Sequence, residues 1–87
     1  MSYGLEVSEH LLKIFKKLKK RDPVQAYILK CKIKQILNNP LIGKPLTSDM
    51  ANQRRVHIRH FVLTYESLEK EKLIRLLDYA HHDDVYD

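Results

Sequence analysis

Eighty-seven residues without a compositional break leave room for one domain, residues 1–87, with a thin core. A chain 44% hydrophobic and 31% charged has enough apolar side chains to fold, and no apolar run approaches a membrane span or a secretory leader, so the cytoplasm is the expected location. Sixteen Lys and Arg against eleven Asp and Glu give a net charge of +5, which puts polyanions first among partners beside the plain alternative of solubility; the single Cys31 excludes an internal disulfide.

Tyr3, Leu5 and Val7 alternate with Gly4 and Glu6, which predicts a short first strand. Ser8 is placed to cap a helix whose apolar residues Leu11, Ile14, Phe15 and Leu18 recur at helical spacing, with lysines filling the other faces. Asp22 followed by Pro23, with Gln25 three residues after the aspartate, starts a second helix that runs to about Leu37. Its expected apolar stripe is Val24, Tyr27, Ile28, Cys31 and Gln35, widened by Leu29, Ile33, Ile36 and Leu37. With almost no loop between them, the two helices form a hairpin.

LIGKPLTSDMANQ is the one long irregular stretch, after which the period changes to two. The second strand, RRVHIR, sets Val56 and Ile58 on one side and Arg55, His57 and Arg59 on the other; the third, FVLTY, sets Phe61, Leu63 and Tyr65 against Val62 and Thr64. Glu66 to Lys72 reads as a charged connection. KLIRLLDYA is a fourth strand, apolar on both faces apart from Arg75 and Asp78, and so central or covered. The order β-α-α-β-β-β makes an α+β fold, an antiparallel sheet with the helical hairpin packed on one face.

If the helices cover Val56, Ile58 and Leu63, the strand period sends Arg55, His57 and Arg59 to the open side. Like-signed neighbours at roughly 6.5–7 Å suit RNA phosphates, although a solvated basic face has the same pattern. Cutting RNA through its 2′-hydroxyl needs a base, a cation for the phosphoryl oxygens and an acid for the leaving 5′-oxygen. Arginine serves only as the cation, which leaves His57, His60, His81, His82 and Tyr86 to carry protons, while His10 is a surface residue. The two histidines and two aspartates of HHDDVYD also read as a metal site, but adjacent side chains diverge and no second pair completes the ligand set. A polar tail with Val85 and Tyr86 tucked onto the sheet is the bland alternative.

The hairpin ending in NNPLIGKPL, the block RRVHIRHFVLTYE and the ending DYAHHDDVY, in this order and spacing, resemble the RelE/ParE toxin superfamily over nearly the whole chain. That resemblance implies a RelE/ParE-like, microbial-RNase-like fold and a ribosome-dependent mRNA endonuclease of a type II toxin-antitoxin system. It implies a cognate acidic, RelB-like antitoxin in a hetero-oligomer, the ribosome and mRNA as partners, and neither metal nor cofactor. The catalytic positions it marks are Arg55, His57, Arg59, His82 and Tyr86. RNA binding falls to Lys16, Lys17, Lys19, Lys20, Arg54, His60 and His81. One departure stands out: members of the RelE branch commonly carry an arginine in the third strand where this chain has Val62. A non-enzymatic ParE-like gyrase inhibitor and a plain RNA- or ribosome-binding module are the alternatives.

Overall fold

The computed structural model describes residues 2–46 and 52–85, with side chains through residue 83. Along the chain lie β1 (Gly4–Val7), α1 (Glu9–Arg21), α2 (Pro23–Asn38), a single 3-10 turn (Pro40–Ile42), β2 (Lys44–Pro45), β3 (Gln53–Ile58), β4 (Phe61–Leu68), β5 (Leu73–His81) and α3 (His82–Val85). The strands form one sheet in the order β1-β5-β4-β3-β2. The α+β architecture and the helical hairpin on one face are as the sequence indicates. Two features differ. The sheet is mixed, because β1 lies parallel to β5, with the whole intervening chain serving as the long connection that parallel neighbours require. The stretch expected to be irregular also contributes β2, which pairs Lys44 and Pro45 with Arg55 and Arg54.

Local chemistry sets the helix starts. The Leu11 N–H donates to Ser8 Oγ at 3.2 Å, and the Gln25 N–H donates to Asp22 Oδ1 at 3.0 Å with Pro23 at the first helical position. Helix α1 turns Leu11, Ile14, Phe15 and Leu18 to the core as expected. Helix α2 buries Leu29 and Ile36 and packs Ile28, Ile33 and Leu37 against the core as expected, but three residues of its stripe turn outward: Val24 and Tyr27 are 63% and 68% exposed, Gln35 is also exposed, and Gln25 is buried in their place. Hydropathy misplaces this face because its first buried residue is polar. Gln25 is acceptable there because its Nε2 donates to the Ile58 carbonyl at 3.1 Å and to the Tyr79 hydroxyl at 3.0 Å.

On the helix side of the sheet Val56, Ile58, Leu63, Tyr65, Ile74, Leu76 and Tyr79 are buried. Strand β4 absorbs Glu66 to Leu68 from the expected connection. Tyr65 pairs with Leu76 while Thr64 pairs with Asp78, so Leu77 is one residue in excess, a β-bulge. That bulge accounts for the strand that reads as apolar on both faces. Ile74, Leu76 and Tyr79 all face the helices, and Leu77 is left half exposed instead of forming a second apolar face. Tyr65, fully buried, ties the 3-10 turn to the sheet: its hydroxyl donates to the Pro40 carbonyl at 2.5 Å and accepts from the Gly43 N–H at 3.0 Å. The approach is close enough that a Cβ on Gly43 would stand 2.7 Å from that hydroxyl.

Candidate functional site

Residues paired across a sheet share a face, so the register alone assembles the open side. Lys44, Arg55, Thr64 and Asp78 form one row, and His57, Val62 and Ala80 the next. A third row, Gln53, Glu66, Arg75 and Glu6, is an ionic lattice in which Arg75 reaches Glu6 at 2.8 Å and Glu66 at 3.1 Å, and Asn52 donates to Glu66 at 3.3 Å. The open face is therefore cationic only toward β2 and β3. Lys44 is a cation that sequence reasoning missed, since its place beside Arg55 depends on a two-residue strand with no periodic signal.

Chain reversal after β5 brings in the next group. The His82 N–H donates to the His60 carbonyl at 2.7 Å, and the His82 ring then lies 5.5 Å from the His57 ring, centroid to centroid. Beneath them Val62, on the open-face side of β4, is 0% exposed. The pair thus stands on an apolar floor, beside the Arg55 row. Imidazoles this close can divide one proton-donating and one proton-accepting role, and a guanidinium one pleat away can hold a phosphate.

The other marked residues disperse. Arg59 is not in the second strand but in the two-residue turn to β4, at φ 61°, with Nη1 3.5 Å from Gln25 Oε1. The expected row of Arg55, His57 and Arg59 is therefore broken after His57, because the hairpin turns one residue earlier than the cation pattern suggests. His81 points to the helix side, its ring 6.3 Å from His60 and 5.3 Å from Phe61, as adjacent strand residues must diverge. Arg54 faces the same side and donates to the Gly43 carbonyl at 2.7 Å, where it braces the turn. Lys16, Lys17, Lys19 and Lys20 are exposed on α1, across the sheet from His57. Tyr86 lies outside the described residues. Among the described residues no three His, Cys, Asp or Glu side chains gather to hold a metal ion, and no helix is long and apolar enough to cross a membrane.

A model of the ParE toxin of type II toxin-antitoxin systems, parDE, matches residues 3–86. An uncharacterised protein of Methanosarcina mazei is 39% identical over 85 residues, 97% of this chain and 99% of its own length. A protein of Methanocaldococcus jannaschii that carries the toxin name RelE4 is 35% identical over 85 residues, 97% of this chain and 90% of its own. Among solved structures, the free E. coli toxin RelE, as a double mutant, superposes with a TM-score of 0.76 at 22% identity, over 97% of this chain and 87% of that one. The archaeal RelE–RelB complex from Pyrococcus horikoshii gives 0.71 at 15% identity, over 94% and 97%. At these identities the structural likenesses speak for the fold.

Proposed function

The chain belongs to the ParE toxin family of type II toxin-antitoxin systems, within the RelE/ParE superfamily, and on that premise we propose that it is an mRNA endonuclease acting on the ribosome. The observation that carries the proposal is the His57–His82 ring pair, at 5.5 Å, beside Arg55 on the open face. In this mechanism one imidazole takes the proton of the 2′-hydroxyl as its oxygen attacks phosphorus. The P–O5′ bond breaks, the other imidazole protonates the leaving 5′-oxygen, and a 2′,3′-cyclic phosphate remains. Arg55 neutralises the charge that gathers on the phosphoryl oxygens. An acidic antitoxin is the proposed partner in the cell; RelE–RelB complexes among the structural neighbours and the net charge of +5 support it.

The test is primer extension on mRNA bound to ribosomes, with the antitoxin-free protein. The expectation is new 5′ ends with the intact protein and a fall of roughly 10²–10⁴-fold in H57Q/H82Q, the range for losing acid–base catalysis. Messages left intact by the unaltered protein would refute it. A second reading, inhibition of DNA gyrase by binding alone, is favoured by the ParE match and by Val62, buried where RelE members carry a cation. Gyrase supercoiling that stops while translation continues would select it.

A further inference from the structure

On the helix side of the sheet a second set of rings runs outward from the core. Phe15 meets Tyr79 at 5.8 Å, Tyr79 stacks on Phe61 at 4.9 Å with planes 6° apart, Phe61 meets His81 edge-on at 5.3 Å, and His81 stacks on His60 at 6.3 Å. The inner rings serve the core. The outer ones do not need to: Phe61 is only partly buried, the His81 side chain is 44% exposed, and His60 is exposed. Burial alone gives little reason to carry a ring series out to solvent.

A cleft of about 420 Å³ opens beside this series, with Phe61, Tyr79 and His81 on one wall and Ile14 and Leu18 of α1 on the other. Lys17 and Arg21, one helical turn apart and both exposed, form its rim. Two carboxylates are near. Asp22 Oδ1 accepts the Gln25 N–H that starts α2, and Asp83, 83% exposed, lies 3.7 Å from His81 Nδ1. An apolar slot walled by rings with two cations at its mouth matches a base joined to a phosphate better than an acidic peptide, which would use the cations and leave the ring wall idle.

We propose that this cleft is a second RNA contact, which takes one unpaired nucleotide with its base against Phe61 and His81 and its phosphate between Lys17 and Arg21. The site lies across the sheet from His57 and does not depend on whether the open face cuts RNA. It would let the protein grip a strand or a ribosomal RNA loop from behind while the other face is occupied.

The test is NMR titration of the full chain with a single-stranded adenosine tetranucleotide. Ring-current shifts are expected at Phe61 and His81. K17E/R21E, both at exposed positions, should keep the far-UV circular dichroism and weaken binding at least about tenfold, with a salt dependence shallower by about 0.7 for each phosphate no longer held. H57Q should leave these signals unchanged. Shifts confined to Arg55, His57 and His82 would overturn the proposal. So would equal binding of an abasic ribose-phosphate tetramer, or equal competition at these signals by an acidic aromatic peptide. Cleaved mRNA with a silent helix side removes this site and leaves the cleavage proposal standing; intact mRNA with shifted Phe61 and His81 does the reverse.

Discussion

Replacing Tyr65 by phenylalanine removes one oxygen atom and leaves the ring in place. That hydroxyl is buried, donates to the Pro40 carbonyl and accepts from the Gly43 N–H, so its loss strands one backbone acceptor and one backbone donor away from water. Each stranded group costs about 1–3 kcal/mol, partly offset because the hydroxyl itself no longer has to be desolvated, which puts Y65F at about 2–4 kcal/mol. A chain of this size has roughly 4–13 kcal/mol of stability in all, so the change is large. Urea unfolding followed by circular dichroism should show it as a lower midpoint at an unchanged slope. The Gly43 amide should also exchange its hydrogen faster. G43A offers an independent check, since its added methyl collides with the hydroxyl oxygen at 2.7 Å and with the Cε1 of the same ring at 2.9 Å; the first contact is absent in the Y65F background, so part of the penalty should be relieved there. A loss below about 0.5 kcal/mol for Y65F, or strict additivity with G43A, would refute this account of how the turn is held.

R59G should stabilise the protein by about 0.5–1 kcal/mol, because Arg59 sits at φ 61° and its contact with Gln25 is long at 3.5 Å; the urea midpoint should rise. V62R should destabilise by several kcal/mol, roughly 3 or more, since a guanidinium would replace a fully covered methyl pair. Because α3 packs on β4 and β5, it is the element expected to lift to make room, and limited proteolysis should cut V62R near residues 82–85 first. Burial raises both Tyr65 and Tyr79 above the ordinary phenol value of about 10, against the lowering pull of the Gly43 N–H and the Gln25 amide respectively. The folded state therefore holds these protons more tightly than the unfolded one. The contribution of these two tyrosines to stability should be flat up to about pH 10 and then be lost as pH rises through the folded values; Y65F should remove part of that alkaline limb, and an alkaline limb unchanged in Y65F would contradict the assignment.

The two helices, their caps and the meander are legible in the sequence because each follows a local rule: Ser8 and Asp22 cap, Pro23 starts a helix, Val56 and Ile58 alternate. Local rules fail where a residue takes its place from a distant partner. Gln25 reads as surface until Ile58 and Tyr79 are there to accept from it, and Val24 and Tyr27 are misplaced with it, whereas Leu29 and Ile36 of the same helix are read correctly. Lys44 reads as loop until β3 pairs with it. At the site, Arg55 and His57 are recoverable from alternation alone. The contact of His57 with His82 is not, because it depends on where the chain reverses after β5. Arg59 fails for the opposite reason: alternation carries on in the sequence past the point where the backbone has already turned.

The surplus residue at Leu77 acts as a phase shifter for everything downstream. Counted from Ile74 and Leu76 along a regular strand, even-numbered residues would continue to face the helices, and His82 would be sent behind the sheet while His81 came to the front. One unmatched residue reverses that parity, so Tyr79 and His81 go inward and His82 is delivered to His57. Excising Leu77 would keep every partner in step and only flatten the strand, whereas removing Ala80 with the bulge left in place would exchange the faces of the two imidazoles. Which histidine meets His57 is thus decided by arithmetic several residues upstream of either.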